Sequence, residues 1–215
     1  MAIGDEKLIG KIDKHIAKHI GEPCTVFHEI VSELVHIDVH IVAPRPDRNF
    51  YTLITSGMSE RPMNTPPGLE EYARAELMLS LPPEWPMEEA AWKKETNYWP
   101  IRLLKSLARM PHEYETWLSY HHSIPNGDPP KPYARNTSFT GALLLPPEEV
   151  PQKFLQCRIG PKQVINFIGV YPVYKEEMQL KLSKGIEAIY ERFDKLQISE
   201  LLNLKRINTA RAKTR

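Results

Sequence analysis

The first part of the chain has the hydrophobic pattern of an amphipathic helix. Apolar residues recur every three or four positions until Gly21, a residue type that commonly follows a helix end. The spacing predicts an N-terminal helix with one buried face, formed by Leu8, Ile9, Ile12, Ile16 and Ile20.

After this helix the apolar positions recur every second residue, which is the period of a β-strand. In residues 35–41 they alternate with His36, Asp38 and His40, which predicts a half-buried strand. Its polar residues either form a solvent-facing side or include one hydrogen-bonded, buried aspartate. Short turns between strands favour antiparallel pairing. Three further strands are predicted at residues 24–30, 50–56 and 75–81.

Prolines divide the helical pattern in the second half of the chain. Residues 87–110 have helical character, and we expect a break at Trp99–Pro100, because proline in a helix interior removes a hydrogen bond. An irregular stretch and a strand follow, and then a nearly apolar run, which is typical of a central strand covered on both faces. The predicted ranges are 120–136 for the irregular stretch, 138–145 and 163–171 for the strands, and 178–196 for a long final helix.

This order of elements predicts an α+β fold, with a mixed, mainly antiparallel sheet flanked by helices. A length of 215 residues favours one domain over two. We expect this single domain to occupy residues 1–200. Residues 201–215, which carry basic residues after the last acid, Glu200, are expected to form a solvated basic tail.

Composition argues against several classes of partner. The 28 basic and 27 acidic residues leave a net charge of +1, which does not attract nucleic acid or a membrane surface. There is no apolar run of about 18 residues and no signal-peptide pattern at the start. The two cysteines, Cys24 and Cys157, are too few for a disulfide framework and are expected to be reduced and unpaired, as in a cytoplasmic protein.

His36, Asp38 and His40 are the first candidates for metal or catalytic chemistry. On a strand they share one face, but successive residues on that face lie about 7 Å apart, which is wide for ligands of one ion. We therefore expect Asp38 to be a structural residue, with no metal and no cofactor. A metal-dependent hydrolase using His36, Asp38 and His40, or the pair His121–His122, is one alternative function. A purely structural scaffold protein in an assembly is another.

Other signals for chemistry are weak. His15 and His19 have the i, i+4 spacing of zinc ligands on a helix, but they lack a third ligand and a catalytic glutamate. The sequence contains no nucleophile elbow, dinucleotide-binding motif or phosphate-binding loop. It therefore predicts that the protein is not an enzyme.

Two loops rich in Gly, Pro and polar residues are candidate recognition surfaces, since ordered loops on a scaffold often carry binding function. Residues 55–63 follow a predicted strand, and we expect their two methionines and one arginine to be exposed or half-exposed. Residues 120–130 contain Asn126-Gly127 between prolines. The alternative is that both loops only close the fold. The predicted partner contacts are Tyr51, Met58, Ser59, Arg61, Met63, His122 and Asn126.

The same loops, in this order, resemble the Suppressor of Fused domain family, and the chain looks like a bacterial member. The resemblance covers roughly residues 25–195. Its segments include His36-Ile37-Asp38-Val39, residues 50–63, residues 75–82, Tyr98-Trp99-Pro100-Ile101, Thr116-Trp117-Leu118, Ile124-Pro125-Asn126-Gly127, residues 166–172 and Glu176-Glu177-Met178.

The resemblance implies a mixed α/β domain that binds another protein and performs no catalysis. The animal relative restrains a transcription factor by holding a short extended peptide next to a sheet, with the help of a second domain. Bacterial relatives resemble immunity proteins that neutralise toxins of polymorphic toxin systems. The partner implied here is therefore a toxin domain or a regulatory protein. One departure from the family pattern is His121, where the family usually has glycine.

Overall fold

The computed structural model describes residues 5–28 and 34–212. Its strands are β1 (Thr25–Phe27), β2 (Asp38–Val42), β3 (Tyr51–Ser56), β4 (Ala75–Leu81), β5 (Ser123–Pro125), β6 (Gly141–Leu145), β7 (Gln156–Gly160) and β8 (Gln163–Val173). Its helices are α1 (Glu6–His19), α2 (Glu89–Trp92), α3 (Glu95–Glu113), α4 (Lys175–Lys184) and α5 (Glu187–Leu196).

The strands form one mixed sheet in the order β1-β2-β3-β4-β8-β6-β5. Strands β1 to β4 are an antiparallel meander, and β4 pairs parallel with the long central strand β8. Beyond β4, strand β8 pairs antiparallel with β6 and, near its start, with β7. The mixed, mostly antiparallel sheet flanked by helices confirms the predicted fold class.

Helices cover both faces of this sheet. On one face α3 packs over a large apolar cluster that includes Trp99, Leu104, Leu144 and Val170. On the other face α1 covers the sheet around β2, β3 and β4, while α4 and α5 cover the part formed by β6 and β8. No helix in residues 5–28 and 34–212 is both long and apolar enough to span a membrane.

Three local predictions were wrong. The expected break at Pro100 does not occur, since α3 runs through it and the Thr96 carbonyl, four residues earlier, accepts a hydrogen bond from Asn136 Nδ2 at 3.0 Å. The expected long final helix is two helices, because Gly185 has a φ of 84°. Strand β2 has no solvent-facing side: α1 covers that face, so Asp38 and His40 are buried. The weak strand expected at residues 24–30 includes β1 and ends outside the described residues.

The segment after Glu200 does not extend into solvent within the described part of the chain. Ser80 N donates to Glu200 O and Leu202 N donates to Ser80 O, so the segment continues the sheet beside β4. Leu202 and Thr209 are buried. The expectation of a solvated tail is therefore wrong as far as residue 212.

Candidate functional site

The candidate loop at residues 55–63, called here the contact loop, is built around one buried carboxylate. Glu76 of β4 is fully buried, and its two oxygens accept hydrogen bonds from Gly57 N, Ser59 N, Ser59 Oγ and Thr55 Oγ1 at 2.6–3.0 Å. Burial raises the pKa of Glu76, and these four donors oppose that rise. Four donors converging on one side chain give the contact loop a fixed conformation.

Further contacts fix the same backbone. The guanidinium of Arg74 donates to the carbonyls of Ser59 and Glu60, and His112 Nε2 lies 2.9 Å from the Met58 carbonyl. Gly57 has a φ of 115°, and a Cβ there would lie 1.8 Å from the His36 carbonyl. Only glycine fits this turn.

The exposure expected for the contact loop is wrong for its methionines. Met58 and Met63 are buried in the core, as is Ser59. Met63 Sδ accepts from Leu118 N, which ties the loop to the segment after α3. Arg61 is exposed, and its side chain makes no hydrogen bond or ion pair with the described part of the chain. Of the predicted contacts Met58, Ser59, Arg61 and Met63, Arg61 is therefore the one that remains available to a partner.

Tyr51 lies apart from the contact loop. It is half-buried at the start of β3, whereas the contact loop includes the end of that strand and the residues after it. Ser56, the last residue of β3, lies five residues beyond Tyr51, which is about 17 Å along an extended strand. The structure does not bring Tyr51 and Arg61 together.

The predicted contacts His122 and Asn126 flank an edge strand that the sequence analysis missed. Strand β5 lies at one end of the sheet and pairs only with β6 among the described strands. Leu144 N donates to His122 O and Asn126 N donates to Thr140 O. Because such bonds alternate along an antiparallel pair, the backbone groups of Ser123 and Pro125 point away from β6, toward the open edge.

A groove of about 230 Å³ runs beside this edge strand, between β5 and α3. Its walls are mainly apolar, and Arg102 and Glu113 add one charge of each sign. Tyr114, at the end of the groove, is 72% exposed. The groove residues include Leu103, Leu107, Met110, Tyr114, Ile124 and Tyr133.

The histidines before β5 do not form a shared site. His121 has a φ of 69°, the left-handed region that glycine favours, and its Nε2 lies 2.9 Å from Tyr190 Oη. The ring of His122 packs edge-on against Trp117. The two imidazoles therefore contact different parts of the protein.

A serine, a histidine and an aspartate do meet at the buried face of β2. His40 Nε2 lies 2.8 Å from Ser56 Oγ, and His40 Nδ1 lies 3.1 Å from Asp13 Oδ1, although that second contact is too poorly aligned for a hydrogen bond. Burial lowers the pKa of His40. Ser56 and His40 are both buried, so a substrate cannot reach this hydroxyl.

The other polar residues of this region group around Asp38. Its two carboxylate oxygens each lie 3.1 Å from an imidazole nitrogen, one of His28 and one of His36. Of the set His36, Asp38 and His40, the structure therefore brings the first two together, adds His28, and turns His40 toward Ser56.

The family model described as Suppressor of fused protein (SUFU) matches residues 33–207. No curated protein matches the chain.

The solved structures that are similar to it include the following three. A SUFU homolog from Neisseria gonorrhoeae has a TM-score of 0.67 at 16% identity, over 95% of this chain and 98% of that chain. The Sufu–Fu complex has a TM-score of 0.63 at 16% identity, over 94% and 91%. Drosophila Suppressor of Fused has a TM-score of 0.60 at 15% identity, over 94% of this chain and 50% of that chain. At these identities the likeness shows a shared fold.

Proposed function

The chain belongs to the Suppressor of fused protein family, and we propose that it is a protein-binding module. Its contact surface is the open edge of β5 with the groove beside it, extended by the exposed Arg61. The observation that carries this proposal is an unpaired sheet edge bordered by an apolar groove. One of the similar structures is itself a complex, that of Sufu with Fu.

The geometry favours an extended segment of the partner protein. Such a segment can add a strand to an exposed sheet edge, where backbone hydrogen bonds provide affinity and side-chain pockets provide selectivity. Here Ser123 offers the outward N–H and C=O, and Pro125 offers only a C=O, which limits uncontrolled pairing at this edge. Apolar side chains of the partner segment fit the groove, which Asn126 also lines, and His122 lies just before β5.

We propose that the partner is a toxin domain or a regulatory protein, as the resemblance to bacterial family members implies. The chain matches a SUFU homolog from Neisseria gonorrhoeae over 98% of that chain. This match supports the proposal that the chain is a bacterial member of the family and acts as a single domain. We propose that it acts in the cytoplasm of the producing cell. Growth rescue when the chain is co-expressed with a toxin domain encoded beside it would support a toxin-neutralising role, and toxicity that persists despite a formed complex would contradict it.

We further propose that the protein acts by binding and performs no catalysis. In its Ser56–His40–Asp13 arrangement, Ser56 and His40 are buried and the alignment at Asp13 is poor. A metal-dependent hydrolase that uses His40 as a ligand is disfavoured, because His40 Nε2 is turned to Ser56.

The binding surface is tested by crosslinking from two positions of equal exposure. Tyr114 and Leu182 are each 72% exposed, but Tyr114 lines the groove beside α3 and Leu182 lies on α4, on the other face of the sheet. A photo-crosslinking amino acid is placed at each position in turn and irradiated in the producing cells. We expect a discrete crosslinked protein from position 114 only. The same product from position 182 alone, or equally from both, would contradict the proposed surface.

A further inference from the structure

Three side chains that can bind a metal converge at the edge of the sheet farthest from β5. The register of β1 and β2 places Phe27 opposite Val39, so the next residue, His28, lies opposite Asp38. His36 lies two residues before Asp38 in the segment that leads into β2. The cross-strand pairing and the chain path therefore bring two imidazoles to one carboxylate.

The distances fit ligands of one ion. His28 Nδ1 lies 3.1 Å from Asp38 Oδ2, and His36 Nε2 lies 3.1 Å from Asp38 Oδ1. The three ligand atoms all lie within 4.8 Å of one another. Ligand atoms around a tetrahedral zinc ion, with bonds of about 2.0–2.2 Å, are separated by about 3.3 Å. The two imidazole–carboxylate distances, one to each oxygen of Asp38, are near this value, and the two imidazole nitrogens lie within 4.8 Å of each other.

The wide spacing of same-face strand residues, which argued against a shared metal ion, does not separate His36 from Asp38. Same-face residues are about 7 Å apart only when both are extended within a strand. Here β2 begins at Asp38, so His36 lies outside it and its ring turns back toward the carboxylate. The backbone of His36 passes close to Gly57, where a Cβ would lie 1.8 Å from the His36 carbonyl oxygen.

We propose that His28, His36 and Asp38 form a binding site for a divalent transition metal, with zinc as the best match. Two imidazoles and one carboxylate are a common zinc ligand set, and three protein ligands leave a fourth position open to water or to a group from a partner. Asp38 is 7% exposed and is fixed in the sheet, whereas His28 is 71% exposed and leaves an entry path for the ion. The site does not depend on the proposed protein-binding function.

A positive charge, the ammonium of Lys105, lies near this site. This ammonium is attracted by Asp38 and lies 4.4 Å from the centre of the Phe27 ring. A cation at that position repels a bound metal ion. Replacing Lys105 by methionine should therefore tighten metal binding.

The test is zinc titration by calorimetry on tag-free protein, with cobalt absorption as a second readout of ligand geometry. We expect one zinc per chain, and His28→Ala or His36→Ala should weaken binding at least tenfold, since even outer-shell changes cost about 10- to 100-fold. His28 is exposed, so its variant should fold, and circular dichroism checks this.

The matched control is His19→Ala, which alters the i, i+4 histidine pair on α1 and should leave the affinity unchanged. Failure of the wild-type protein to bind zinc would overturn the proposal. So would an affinity that survives His28→Ala, or one that is lost in His19→Ala.

Discussion

Ser59 donates two hydrogen bonds to Glu76, one from its backbone N–H at 2.9 Å and one from its hydroxyl at 2.6 Å. This relationship joins the contact loop to the centre of the sheet. The Ser-Gly-Met-Ser segment is thereby a structural support, and the exposed Arg61 projects from a loop that is already ordered. An ordered loop loses less conformational entropy when a partner binds.

The first prediction concerns Glu76→Gln. The amide of glutamine replaces one acceptor oxygen by a donor, so buried N–H and hydroxyl groups of the contact loop lose their partner. We expect the free energy of unfolding to fall by about 2–4 kcal/mol. Urea unfolding measures this change. The control Glu71→Gln, at an exposed position on the same loop connection, should have little effect, and equal effects of the two changes would refute the assignment.

Arg61→Ala separates recognition from folding. Because Arg61 is exposed and makes no hydrogen bond within the described chain, the melting temperature should stay unchanged. Affinity for the partner identified by crosslinking should fall by about 1–3 kcal/mol. Arg158→Ala, at an exposed position on β7, is the matched control. Loss of melting temperature with unchanged affinity would assign Arg61 a structural role instead.

A buried ion pair holds the C-terminal segment in place. Arg206 forms two charge-assisted bonds with Glu177 at 2.6–2.7 Å and stacks on Phe139 and Tyr174. Arg206→Ala leaves the Glu177 carboxylate buried without its counter-charge, so we expect a loss of about 3–5 kcal/mol in unfolding free energy.

The exposed pair Arg211–Glu176 provides the comparison for this change. Arg211→Ala should cost at most about 1 kcal/mol, because solvent screens that pair. Thermal unfolding of both variants measures the two losses of stability. Similar losses in the two variants would show that the burial of the Arg206 pair contributes nothing.

The two thiols should differ in reactivity. Both cysteines are free; Cys24 is exposed and Cys157 is buried, and burial raises the pKa of the Cys157 thiol. We expect one thiol to react rapidly with a disulfide reagent in native protein, and two after denaturation. Cys24→Ser should abolish the fast phase. Fewer than two thiols in freshly prepared, denatured protein would contradict the unpaired assignment.

His112 should make stability depend on pH. Burial lowers the pKa of His112, while its bond to the Met58 carbonyl partly opposes this. Its folded-state pKa therefore lies below the unfolded value of about 6.5. The stabilising contribution is present above that value and is lost as pH falls through the folded-state pKa.

The measurement is urea unfolding of wild type and His112→Gln at several pH values between 7 and 5. Glutamine retains an N–H donor for Met58 but does not titrate. The variant should show a smaller loss of stability on acidification, though not none, because His15 and His122 also have lowered pKa values. Identical slopes would exclude this role for His112.

The sequence predicted elements whose hydrophobic pattern is strong and local. Helix α1 and strands β3, β4 and β8 follow directly from their spacing. Strand β5 was missed because three residues ending in proline carry no usable period, and they become a strand only through pairing with β6. The continuation of α3 through Pro100 depends on Asn136, a residue 36 positions away that no local pattern connects to it.

The candidate site was also predicted only in part, because local sequence features identify loops but do not show which distant residues contact them. Composition marked the contact loop and the turn at Asn126, but it could not show that Glu76 draws Met58 and Ser59 inward. The proximity of His28 to Asp38 requires the β1–β2 register, which the alternating pattern does not specify. Long-range contacts of this kind set the exposure of each side chain.

The most direct test of the proposed binding surface is the amide hydrogen exchange of Ser123. It is measured by nuclear magnetic resonance on the free protein and on its non-covalent complex with the partner that crosslinking identifies. In the free protein this N–H points to the open edge of β5 and should exchange quickly. If the partner adds a strand at this edge, exchange at Ser123 should slow markedly on binding, while the amides of the β7–β8 turn stay unchanged. A bound partner that leaves the Ser123 amide exchanging as fast as before would contradict the account.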